Sequence, residues 1–468
     1  MQEKSFYTRP GFIIAIIICA IFVILGIVAT EAFAEVTGKV FTWMVTYLGW
    51  TFILGASIFV VVVLYMLFSK VGNIKLGKDD DEPEYSNISW FAMLFSCGMG
   101  IGLLFWGVSE PIWHYIWPPA GEANTAAAGA QAMRFAFYHW GLHPWATYAI
   151  VGAAVGYFCY RKGLPMLLSS TLEPILGRDN LDRGWGTVVN IIGVFATLFG
   201  LATSLGLGAM QIGAGLESLL GIPSNVGLWV AIVIVVGAVA LISAITGIDR
   251  GIKFLSNLNI TVAGFLMLLV LVMGPTLFIL NTLVHSTGDY LQNIIGMSFR
   301  LDPMIEGTAG WADAWTVFYW AWWIAWAPFV GAFIARISKG RTLRQYATGV
   351  LLIPTGVSLV WFSVFGGSAI YAEHFGNAGG KIIDAVSASE ASGFFALMDT
   401  LPGAGVLTAI AMFSVAVFFI TSSDSGTYVN GMLTSGGDTN PPLPLRITWG
   451  VFQLGIAAIL LFTGAMPP

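Results

Sequence analysis

The sequence predicts an all-α polytopic membrane protein. Apolar runs long enough to cross a bilayer recur along most of the 468 residues, 57% of the side chains are hydrophobic and only 10% are charged. The net charge of -5 is spread through the loops, with neither a basic tract nor a zinc-finger spacing. No nucleic acid partner is therefore expected, and the lipid bilayer is the partner that the composition names. Cys19, Cys97 and Cys159 lie in or at the edges of apolar runs, so neither a disulfide framework nor a metal cluster is indicated.

Taken in order, the first apolar run covers Gly11 to Ala29. Ala32, Phe33 and Ala34 imitate a signal cleavage site, but the run is long enough to span a membrane and reads as a retained first span. Eleven spans follow from hydropathy, centred near residues 21, 57, 99, 148, 200, 236, 268, 325, 357, 414 and 456. With the N-terminus cytoplasmic, 16 of the 20 basic residues fall inside, and only Lys39, Arg134, Arg300 and Lys381 outside, as the positive-inside rule requires. The stretch from about Leu283 to Phe299 is too short and polar to span and reads as a surface helix joining two halves.

Two spans carry unusual residues in corresponding places. The third holds Gly98, Gly100 and Gly102 at alternate positions, which weakens a helix where it should be most regular. The same glycines also fit a small-residue helix-packing surface. The eighth holds YWAWWIAWAP (319–328), four tryptophans followed by Pro328, which predicts a second interruption. Paired interruptions point to a transporter site on inverted repeats. An offset of 224 relates Met99 to Trp323 and carries Thr197 in the fifth span onto Thr421 in the tenth. The same shift carries the seventh span beyond Pro468, so the second repeat is expected to lack its final helix and the chain to be shortened at its C-terminus.

Trp322, Trp323 and Trp326 are spaced three and four apart and share a helical face with electron-rich rings, a setting that attracts a quaternary ammonium group. An aromatic belt is the competing reading, but belts sit at span ends and this cluster is central. Trp140, Trp145 and Tyr148 in the fourth span fall within about 140° of helical arc.

The runs SWFAMLFSCGMGIGLLFWGVSEP (89–111), YHWGLHPWATYAIVG (138–152), FYWAWWIAWAPFVGAFIARISKGRT (318–342) and FFITSSDSG (418–426), with GIDRGIKFLSNLN (247–259), closely resemble the betaine/choline/carnitine transporter family. The likeness runs from the first span to the eleventh and is strongest to its sodium-coupled glycine betaine carriers. It implies a leucine-transporter-type fold of two five-helix inverted repeats behind two extra helices. The corresponding divisions are an N-terminal two-span segment (1–87), a first repeat (88–282), a connector (283–311) and a second repeat (312–468). It also implies a homotrimer in the plasma membrane, by expectation the bacterial inner membrane.

By motif match, the resemblance implies an onium box of Trp140, Trp145, Tyr148, Trp322, Trp323 and Trp326, with Trp320 in the same motif. Backbone amides freed at Gly100 and Gly102 would meet the substrate carboxylate. A coupling sodium ion, the one cofactor implied, would use the Thr421 and Ser422 hydroxyls with carbonyls of Phe418, Met99 and Ser96. A second site near Thr197 and Phe329 is a weaker match, since Leu201 replaces an expected hydroxyl. Gly102 stands where the family's proton-coupled choline carriers have aspartate. No acidic residue occupies the middle of the third, fourth, fifth, eighth or tenth span, so hydroxyls and carbonyls suited to sodium are favoured over a proton relay.

The expected function is sodium-coupled import of a zwitterionic methylated onium compound such as glycine betaine. The alternative is a proton-coupled or exchange-type carrier of choline, carnitine, dimethylsulfoniopropionate or ectoine. A channel would show polar pore rings, and an enzyme would show an acid, base, nucleophile or metal cluster near its pocket. In this reading Glu110, His139 and His143 are structural or gate-lining, and Thr421 and Ser422 have a competing role as hydroxyls bonded back to their own helix.

Overall fold

Pro10 opens α1 (Pro10–Val28) where a missing N–H costs nothing, and at Ala29 the backbone leaves helical space before α2 (Thr30–Phe68). The computed structural model describes residues 9–98, 100–246, 248–304, 310–376 and 378–464. The third span is divided where the glycines stand, into α3 (Asn87–Gly98) and α4 (Ile101–Ile116). Met99 and the side chain of Ser96 lie outside the described residues.

The fourth span is also divided, which hydropathy alone does not predict: α5 (Ala126–Trp140) ends at Gly141 and α6 (Leu142–Gly156) begins after it. Pro144 has no N–H to return to the Trp140 carbonyl, which removes one helical bond at this place, and Gly141 leaves helical space with φ -95° and ψ -128°. A side chain on Gly141 would meet the Tyr290 hydroxyl at 2.9 Å, and that hydroxyl accepts the Leu142 N–H at 3.1 Å.

Beyond the short α7 (Glu173–Leu176) come α8 (Trp185–Leu220), closed by a left-handed Gly221, then α9 (Val226–Thr246) and α10 (Ile248–Met273). After Gly274 and Pro275 the chain turns through 111° into α11 (Thr276–Ser298), the expected surface helix, starting seven residues earlier than expected.

A π-turn at Asp313–Val317 leads into α12 (Phe318–Ile337). Here the expected interruption is corrected: α12 is continuous through Pro328. Close packing on both sides holds it straight. A Cβ on Gly331 would lie 3.1 Å from the Gly152 amide of α6, and one on Gly200 of α8 would lie 2.6 Å from the Trp326 ring. Tertiary packing of this kind outweighs the single helical hydrogen bond that proline removes. The chain ends with α13 (Leu343–His374), α14 (Lys381–Ala388), α15 (Gly393–Met398), α16 (Ala404–Thr434) and α17 (Leu443–Thr463). Thr342 and Gln345 form a reciprocal capping box at the start of α13.

Among the described residues, eight helices are long and apolar enough to cross a membrane: α1, α2, α8, α9, α12 with its π-turn, α13, α16 and α17. The other three of the eleven expected spans are the two divided ones and α10. The helices form a core and a rim. About 70% of the most apolar window of α12 and α13 is buried, against 22% in α1 and 28% in α9, whose Ile27, Val28, Ile234 and Val235 face outward as lipid-exposed side chains do. Among the described residues the only strand-like pairing is the bridge between Lys75 and Thr342. It belongs to a basic end of the bundle, where Arg336 pairs with Glu84 at 3.0 Å and Arg161 with Asp79 at 2.5 Å.

Candidate substrate site

The six expected box rings form one unbroken aromatic chain linking the end of α5, α6 and α12. Trp322 and Trp323 stack at 4.8 Å with planes 13° apart, and Trp140 meets both edge-on, at 6.3 and 4.9 Å. Tyr148 stands edge-on to Trp323 at 6.3 Å, Trp145 edge-on to Tyr148 at 5.6 Å, and Trp326 edge-on to Trp322 at 6.4 Å. All six are buried. Residues 145 and 148 are one turn apart on α6, and 322 and 326 one turn apart on α12, which is why each pair shares a face.

Trp320 is elsewhere. Two residues before Trp322 it points to the other side of α12, stacked on His143 at 5.3 Å and against Tyr138 at 5.1 Å. His143 in turn bonds Ser298 of α11 at 2.9 Å, a packing role.

The glycine break meets the box and α16 together. A Cβ on Gly102 would come within 2.9 Å of the Trp140 ring and 3.4 Å of Trp322, so only glycine lets the helix approach both rings. A Cβ on Gly100 would lie 3.2 Å from Ser422 Oγ and 3.7 Å from the Phe418 ring. α4 begins at Ile101, so its N-terminal turn lies beside both the box and Ser422, and a helix N-terminus is an end that favours an anion.

Of those ligands, Thr421 donates to the Val417 and Phe418 carbonyls at 3.0 and 3.1 Å, the competing role weighed from the sequence. Its lone pairs stay available to a cation. Thr197 likewise donates to its own helix, to Gly193 at 2.8 Å, and Phe329 packs edge-on to Trp326 at 5.7 Å.

The sequence reads Glu110 as structural or gate-lining, and its hydrogen bonds join α4, α5 and α12 beside the box. Fully buried on α4, its Oε2 accepts the Trp140 indole N–H at 2.6 Å and the Tyr319 hydroxyl at 2.5 Å. Its Oε1 bonds His139 Nδ1 at 2.7 Å and His114 Nε2 at 3.2 Å. The available signal was the Glu110–His114 spacing of four, with His139 directly preceding a box residue. The ligand-capable atoms of Glu110, His114 and His139 lie within 4.8 Å of one another, and in this structure hydrogen bonds occupy the carboxylate. Among the described residues, the indole N–H groups of Trp145, Trp322 and Trp326 have no partner, an arrangement costly in a buried site unless an acceptor arrives.

The sequence model of the betaine/carnitine/choline family transporters matches residues 10–467. The chain belongs to that family. It is 46% identical to the glycine betaine transporter OpuD of Bacillus subtilis over 456 residues, 97% of this chain and 88% of the relative. It is 41% identical over 467 residues to the ectoine/hydroxyectoine transporter of Virgibacillus pantothenticus (99% and 92%) and 41% over 456 residues to the glycine betaine transporter of Acinetobacter baylyi (97% and 68%). This betaine/carnitine/choline family protein is thus a multi-pass membrane transporter of small molecules and not an enzyme.

Proposed function

We propose that this transporter is a sodium-coupled symporter importing a zwitterionic methylated onium compound such as glycine betaine. The observation that carries the reading is the close approach of Gly102 to Trp140 and Trp322: a helix break brings the N-terminal turn of α4 to the edge of an aromatic box. The box suits a trimethylammonium group, and the amides, with the unpartnered indole N–H groups, suit a carboxylate.

Sodium, as a co-transported substrate, is supported by the approach of Gly100 to Ser422 and Phe418 and by the oxygen-rich donor set. Energetics favour it. A zwitterion gains nothing from the membrane potential, whereas each sodium ion gains about 2.3 kcal/mol per 100 mV, and a tenfold gradient adds about 1.4 kcal/mol. Two ions supply roughly 7 kcal/mol, enough for about a 10⁵-fold substrate gradient.

The reading also takes the protein as a homotrimer in the bacterial inner membrane, its N-terminus cytoplasmic and its repeats at 88–282 and 312–468. Uptake of labelled betaine into proteoliposomes at clamped potential tests the coupling: it is expected to require sodium, and equal uptake in potassium alone would refute it. The identity to an ectoine/hydroxyectoine transporter makes ectoine the second substrate to compare.

A further inference from the structure

Glu110 is a carboxylate buried in the bundle with no lysine or arginine bonded to it among the described residues. Its four partners are two imidazoles, an indole and a phenol. His139 Nε2 lies 2.9 Å from the Thr316 hydroxyl, so this ring is held between the carboxylate and that hydroxyl. His114 Nδ1 has no partner among the described residues. The carboxylate is thus bonded on both oxygens without a lysine or arginine beside it, and desolvating it in this way is costly unless a positive group comes near.

That charge lies one indole away from the box. Trp140 donates its N–H to Glu110 and presents its ring to Trp322 and Trp323. A charge-assisted bond from the indole N–H pushes electron density back into the ring, and a more negative ring face attracts a cation more strongly. Tyr319, held by the same oxygen, stacks on Trp322 and Trp323 at 6.1 and 5.7 Å, so one carboxylate orients Trp140 and a ring stacked on the box.

We infer that Glu110 is the residue that makes the box select a positive charge rather than a trimethyl shape, acting through Trp140 without touching substrate. It is a positioning and charge-supplying residue, and the inference rests on the box being the onium site.

The test compares betaine with 3,3-dimethylbutanoate, which has the same shape and carboxylate with carbon in place of the charged nitrogen. Binding is read by tryptophan fluorescence on purified full-length protein. The unmodified protein is expected to prefer betaine by at least tenfold; equal binding of the two would overturn the box reading and this inference with it. In Glu110→Gln, betaine affinity is expected to fall by about tenfold while that of the carbon analogue changes less than threefold, collapsing the preference. If both ligands weaken equally, or the preference survives, Glu110 is structural only and the inference fails while the box reading stands. Should Glu110→Gln not fold, 3-benzothienylalanine incorporated at Trp140 keeps the ring shape and removes the N–H. Its preference for betaine is expected to drop in the same direction, and an undiminished preference would overturn the inference.

Discussion

Gly102 and Trp140 stand so close that a single methyl group on the glycine would lie 2.9 Å from the indole ring. Gly102→Ala must push Trp140, and with it Trp322, out of register. Overpacking of this kind costs about 1–3 kcal/mol, so betaine affinity is expected to fall about tenfold or more, measured by fluorescence titration. Unchanged affinity would show that the box tolerates the methyl and that the contact is incidental.

Trp323 is the central ring, touching Trp140, Trp322 and Tyr148. Trp323→Leu keeps apolar bulk but removes a ring face worth on the order of 2 kcal/mol to a desolvated cation. Affinity for betaine is expected to drop about thirtyfold with the protein still folded, and a variant that binds as tightly as the original would remove Trp323 from the site.

Choline carries the onium group without the carboxylate and would leave the α4 amides and the free indole N–H groups unpaired. It is expected to compete with labelled betaine far less effectively than unlabelled betaine does. Equal competition would mean that the carboxylate end is not recognised at the break.

Ser422 faces the break at Gly100, and Thr421 beside it on α16 is bonded to its own helix. Thr421→Ala/Ser422→Ala is expected to raise the sodium concentration for half-maximal uptake much more than it alters betaine binding at saturating sodium. A variant whose sodium dependence matches the original would place the coupling ion elsewhere.

Asp424 and Arg446 form a buried ion pair at 3.2 Å between α16 and α17. Removing only the cation leaves a buried charge, which typically costs about 3–5 kcal/mol. Arg446→Ala is therefore expected to lower the melting temperature in detergent by several degrees, and an unaltered melting curve would show that water reaches Asp424.

Much of this architecture was legible from residue patterns. Hydropathy located the crossings, and alternate glycines at 98, 100 and 102 marked the divided third span, because an apolar run and a weakened helix are local properties. Spacing put Trp322, Trp323 and Trp326 on one helical face, and the family motif added Trp140, Trp145 and Tyr148. Pro328 misled, since whether a proline interrupts a membrane helix depends on the neighbours that press on it, here α6 and α8. The Gly141 break was available in the Gly141–Pro144 pair, though hydropathy is blind to it. Glu110 could not be placed by pattern at all. Its partners come from α4, α5 and α12, and only tertiary structure brings an acid at position 110 to a phenol at 319.

The break in the fourth span also bears on the order of folding. The Leu142 N–H is satisfied by the Tyr290 hydroxyl, 148 residues further along the chain. While the fourth segment sits alone in lipid, nothing supplies that acceptor, and an unpaired amide in hydrocarbon costs several kcal/mol. The bend at Trp140 and Gly141 is thus completed only when α11 docks. The Trp140 ring at that bend takes its final position late in assembly, after α11 has reached the membrane.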